Sequence, residues 1–187
     1  MSEREGEGRA DELVRRLAES IASDDGPTVV ALLADPDAPE ASWRQAGRLC
    51  DAVASRRRTL VVNLAGAGSG FDRFLGLEDG DGLEGVRAGR IKLSQAPVQI
   101  EGRRFLYLPA GRPDPAAADE GGLPLEDSGV VGAVEKLAEK IRQAGGALLL
   151  YLTPDALPDR HTADLMDGAV RLAGAIGVGG VRTLGHL

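Results

Sequence analysis

Four short apolar runs limit what this chain can fold into: TVVALLA (28–34), TLVVNLA (59–65), FLYLPAG (105–111) and ALLLYLTP (147–154). Each has the length of a strand and lacks polar alternation, the pattern of strands covered on both faces. Helical runs separate them. DELVRRLAESIAS places Leu13, Val14, Leu17 and Ile21 at helical spacing. SWRQAGRLCDAVASRRR has Ser42 as its expected N-cap and arginines in its last turn, where the helix dipole favours cations. SGVVGAVEKLAEKIRQAGG stops at paired glycines. Strands alternating with helices predict an α/β fold, a three-layer sandwich around a mostly parallel sheet. Residues 1–10 are polar and charged and read as a disordered N-terminus. Residues 11–187 read as a single α/β domain. Within it, FDRFLGLEDGDGLEGVRAGR predicts short helical pieces among Gly-Asp turns, and RPDPAAADEGG predicts a loop. The tail predicts one more helix after Asp159 and a last strand within GAIGVGGVRTL.

Charge and cysteine content narrow the function classes. A net charge of −7 argues against nucleic acid as the main partner. No apolar run approaches the about 18 residues of a membrane span, and nothing at the N-terminus reads as a signal peptide. A cytoplasmic protein without direct membrane insertion is the expectation. The single cysteine, Cys50, lies in a helical pattern and reads as a small buried hydrophobe rather than a nucleophile.

The second apolar run enters a loop with glycines at 66, 68 and 70, the place where α/β folds bind ligands. A dinucleotide fingerprint fails there, because Phe71 stands where the third glycine belongs. The glycine loop of Rossmann-type methyltransferases is nearer, but its acid falls on Asn63 or Leu64. No strand ending in an acid follows about 20 residues later. Use of this loop by an enzyme of altered chemistry, either methyltransferase-like or a nucleotide binder with a rebuilt site, is the alternative reading.

Past the glycines a family resemblance covers residues 12–170 in unbroken order. FLGLEDGDGLEGVRAG, RFLYLPAGRPDPAA and EKLAEKIRQAGGALLLYLTPDALPD resemble successive segments of the bacterial tyrosine kinases, a branch of the MinD/ParA-like P-loop ATPases linked to exopolysaccharide export. ELVRRLAESI is similar to that family's first helix, matching at Glu12, Arg15, Leu17 and Ile21. The resemblance implies a P-loop after the first strand, whose lysine and hydroxyl handle phosphate and Mg²⁺. A gap-free register places APEAS there. Ala38 and Glu40 then stand in place of glycines, Ala41 in place of the lysine, and only Ser42 survives. The acidic positions at the ends of the second and fourth runs are Asn63, Ala65 and Leu152. The lysine and all three carboxylates are therefore missing together, and the 66–70 loop reads as a flexible uncharged turn.

The resemblance thus implies a P-loop-like fold with a degenerate Walker A: a pseudo-ATPase or pseudokinase with no cofactor, no metal and no catalytic residues. Its expected role is protein interaction, assembly or regulation, with Glu12, Arg15, Leu17 and Ile21 as the interaction helix. Expected partners are an active paralogue, itself, or a membrane-bound polysaccharide export component. The kinases of this family end in a tyrosine-rich tail, whereas Tyr107 and Tyr151 here both fall inside predicted strands. Other groups have plain readings. His161 and His186 lack nearby ligands at metal spacing, and Asp35, Asp37 and Glu40 read as a solvated loop. Asp155, Asp159 and Asp164 read as surface or capping residues. Arg56, Arg57 and Arg58 form a basic run at a helix end, suited to the dipole or to a phosphate or acidic partner. Trp43 either fills space a nucleotide would occupy or packs as an ordinary helix residue.

Overall fold

The computed structural model describes residues 3–66, 69–77, 80–112, 128–153, 164–173 and 183–187. Helix α1 (Glu3–Ala22) leads to β1 (Val29–Leu33), α2 (Pro39–Ala54) and β2 (Thr59–Asn63). Two short helices, α3 (Phe71–Phe74) and α4 (Gly82–Arg87), precede β3 (Val98–Gln99) and β4 (Leu106–Leu108). Then come α5 (Ser128–Gln143), β5 (Ala147–Leu152), β6 (Gly168–Arg171) and β7 (Thr183–His186). The strands form one sheet in the order β3-β4-β2-β5-β1-β6-β7. All neighbours are parallel except the β3–β4 pair at one edge.

The unbroken apolar runs are explained by two cores, one on each face. Along β1, Val29, Ala31 and Leu33 face the core built with α5, while Val30 and Leu32 face the core built with α1 and α2. β5 repeats this, with Leu148, Leu150 and Leu152 on the α5 face and Ala147, Leu149 and Tyr151 on the other. Every residue of β1, β2 and β5 is buried. At roughly 1.5–3 kcal/mol for each large aliphatic side chain buried, these central strands dominate the apolar contribution to stability. The expected three-layer sandwich is the observed architecture.

Three local expectations are corrected. The N-terminal stretch read as disordered is helical from Glu3, continuous with α1. α2 starts at Pro39 with Ala38 as its N-cap, not Ser42, because proline at N1 presets the first turn. Ser42 instead lies inside the helix. Gly168–Arg171, in the tail read as helix, forms strand β6 beside β1. Its docking is helped by Asp167, whose carboxylate accepts from the Thr28 and Val29 N–H groups at 2.7 and 2.8 Å. The two-residue edge strand β3 has no counterpart in the sequence reading. Most of the predicted RPDPAAADEGG loop, and the GAIGVGG part of the expected last strand, lie outside the described residues. Among the described residues, no helix is long and apolar enough to cross a membrane.

Candidate functional site

The parallel strands direct the exits of β1, β2, β4 and β5 to one edge of the sheet, where α/β folds place their ligands. The β1 exit is a tight turn over residues 34–38. Asp35 Oδ1 accepts from Asp37 N at 2.9 Å, and Ala38 N donates to Asp35 O at 3.2 Å. Ser42 is fully buried and its Oγ accepts from Asp35 N at 3.0 Å. Its hydroxyl thus closes the turn from within. Ala41 is half-buried and Glu40 exposed in the first turn of α2. The lysines of the chain are Lys92, Lys136 and Lys140, none of them in this turn.

The β2 exit is organised by a residue that sequence reasoning missed. Asp72, on α3, is 6% exposed. Its Oδ1 accepts from Asn63 Nδ2 at 2.9 Å and from the Tyr107 hydroxyl at 2.6 Å. Its Oδ2 accepts from Ala110 N at 3.1 Å and Gly111 N at 3.4 Å. One carboxylate therefore ties the ends of β2 and β4 together. Burial and the neighbouring Asp72 charge hold the Tyr107 phenol well above its usual ionisation range, so it acts as a donor. Asn63 Oδ1 in turn accepts from Ala65 N at 3.0 Å, and Asn63 Nδ2 also reaches Ser69 Oγ at 3.3 Å. Leu152 hands its carbonyl to Ala34 N at 2.9 Å, joining the β5 and β1 exits. The sequence did carry one signal for this network. Tyr107 falls inside a run read as a strand, and a buried phenol needs a partner.

The glycine loop is held rather than free where it is described. Trp43 Nε1 donates to Ser69 O at 3.0 Å, and the Trp43 ring lies over Gly70. Gly70 has φ +73°, and a Cβ there would come within 2.5 Å of the Trp43 ring, so both backbone shape and space demand glycine. Phe71 stacks on Tyr151 at 4.1 Å and meets Tyr107 edge-on at 5.7 Å. Trp43 thus packs as a helix residue against α3, its ring 6.1 Å from Phe74. Gly68 lies outside the described residues.

The remaining candidates are dispersed. Leu17 and Ile21 are core residues, so of the expected interaction helix only the half-buried Glu12 and the exposed Arg15 reach the surface. Hydrogen bonds from Arg15 and Arg16 hold the Glu12 carboxyl down to about 2. Arg57 lies at the opposite edge, where it donates to the carbonyls of Gly145, Ile21 and Pro27. It serves structure rather than an anion. Cys50 is fully buried, and burial pushes its thiol up beyond the reactive range. His186 meets Arg171 at 2.7 Å on β6. His161, Asp155 and Asp159 lie outside the described residues, and Asp164 is exposed. Among the described residues no cluster of three His, Cys, Asp or Glu side chains is placed to hold a metal.

No protein-family model matches the sequence, and no curated protein is significantly similar to it. Solved structures are similar in fold. The VpsO kinase domain superposes with a TM-score of 0.68 at 14% identity, covering 99% of this chain and 97% of that one. The kinase domain of Escherichia coli tyrosine kinase ETK matches with a TM-score of 0.57 at 13% identity over 81% of this chain, which spans 56% of the ETK chain. The Pyrococcus furiosus cell division ATPase MinD matches with a TM-score of 0.53 at 18% identity, over 78% of this chain and 58% of that one. At such identities the likeness concerns architecture: the chain has the α/β fold of the bacterial tyrosine-kinase domains and MinD-type ATPases, as its motifs implied.

Proposed function

We propose that this chain is a non-catalytic pseudo-ATPase that acts as a protein-interaction, assembly or regulatory module. The observation that carries the reading is the β1–α2 turn. It has no glycine and no lysine, it places Glu40 at the helix start, and it uses the one surviving hydroxyl, Ser42 Oγ, to bond Asp35 N. A phosphate cradle works by exposed N–H groups, a cation and a metal-ligating hydroxyl. Here the hydroxyl is engaged and the nearest added charge is negative. The ends of β2 and β5 carry Asn63 and Leu152 instead of acids, and Asn63 is engaged with Asp72. Phosphoryl transfer depends on such charge-handling groups.

The partner in this reading is a protein: an active paralogue, a second copy, or a membrane-bound export component. The link to exopolysaccharide or cell-envelope machinery, and the cytoplasmic location, rest on the sequence resemblance and composition. The contacts of Trp43 with Ser69 and Gly70 count against the altered-enzyme alternative. Calorimetry with Mg²⁺ and ATP or ADP tests the proposal. No heat up to millimolar nucleotide is expected, and micromolar binding would overturn it.

A further inference from the structure

Asn63 and Asp72 come from different elements and meet where water is nearly excluded: Asn63 is 0% exposed and Asp72 6%. Across the 2.9 Å contact, one partner is an ionisable acceptor and the other a neutral donor. Acids at both positions would set two carboxylates at hydrogen-bond distance with little water between them, an arrangement in which both cannot readily ionise. Amides at both would remove the ionised acceptor that the Tyr107 hydroxyl and two backbone N–H groups now share. The site accommodates one acid.

Either position can carry it. With an acid at 63 and an amide at 72, one oxygen at 63 would keep Ala65 N, which now donates to Asn63 Oδ1. The other oxygen would accept from the new amide N–H₂ and from the Ser69 hydroxyl, whose oxygen now lies 3.3 Å from Asn63 Nδ2. The amide oxygen at 72 would take over Ala110 N and Gly111 N, the present partners of Asp72 Oδ2. Its second N–H would donate to the Tyr107 oxygen after rotation of one O–H bond. Every donor in the network then keeps an acceptor apart from the rotated phenol hydrogen, while Gly66 O, now 3.5 Å from Asn63 Nδ2, gives up its donor.

We propose that positions 63 and 72 are an exchangeable acid–amide pair, in which the single carboxylate tolerated at this edge sits at 72 and clamps β2 to β4. An acid returned to the end of β2 is accepted only when 72 gives up its own. This deepens the reading of a non-catalytic site by naming what keeps the β2 end free of a carboxylate, and it depends on that reading only for its functional meaning.

The test compares the full chain with its Asn63→Asp, Asp72→Asn and combined Asn63→Asp/Asp72→Asn variants, by urea unfolding at pH 7. Asn63→Asp is expected to lower the folding equilibrium constant at least about tenfold, and the combined variant to recover at least half of the lost urea midpoint. If Asn63→Asp alone fails to fold, a folded combined variant supports the exchange and an unfolded one overturns it. An Asn63→Asp midpoint equal to the parent's, or a combined loss as large as the sum of the single ones, would also overturn it. Nucleotide calorimetry on the parent chain reports separately. Binding there would sink the pseudo-ATPase reading while leaving the outcome of the unfolding comparison intact.

Discussion

The turn that leaves β1 and the loop that leaves β2 lie on the same edge of the sheet, yet they are held by different means. In the β1–α2 turn the furthest-reaching side-chain bond, Asp35 N to Ser42 Oγ, spans 7 residues. In the β2–α3 loop, Asp72 reaches Ala110 across 38 residues, and Trp43 reaches Ser69 across 26. Apart from the backbone bond of Ala34 N to Leu152 O, the first is a local closure. The second exists only once β4 and α2 have docked beside β2. A site built on nucleotide would join these two loops through a ligand. Among the described residues, protein groups bond across both exits.

That contrast predicts unequal costs. Asp72→Ala would leave a buried phenol, a buried amide and two backbone N–H groups without their shared acceptor, and is expected to cost about 3–5 kcal/mol of unfolding free energy. Chemical denaturation reads it directly, and a cost below that of the Ser42 variant would erase the distinction drawn between the loops. Ser42→Ala removes one acceptor for Asp35 N inside a local turn, with an expected loss of about 1 kcal/mol. Sharpening the contrast further, its effect should add to that of Asp72→Ala, since the two share no partner.

The smallest effect belongs to Glu12 on α1, whose ion pairs with Arg15 and Arg16 stay within one helix. Glu12 is half-buried, and its carboxyl, ordinarily titrating near 4.5, is held down to about 2 by hydrogen bonds from Arg15 and Arg16. A depressed carboxylate contributes stability that is present above its unfolded value and lost as pH falls through its folded value. Glu12→Gln should therefore lower the thermal midpoint slightly at pH 7 and not at all once the pH has fallen below about 2. A large drop at neutral pH would mean that this face carries structural weight the buried Leu17 and Ile21 do not account for.

What the sequence determined by itself was the set of central strands, their burial on both faces and the helices between them. Those features follow from residue spacing, and β1, β2 and β5 lie where the apolar runs placed them. The engagement of Ser42 and the lack of a lysine at the β1 exit were also close to legible, because the residues concerned are neighbours. What only the tertiary structure decided was the role of Asp72. In FDRF it is an acid between an aromatic and an arginine, with nothing to mark it as buried. Its four donors come from β2, β4 and the backbone after β4, elements far apart in the chain. The turning of Leu17 and Ile21 into the core and the strand at Gly168–Arg171 were decided in the same way. Each depends on which neighbour the folded chain supplies, and burial can override local propensity once that neighbour is in place.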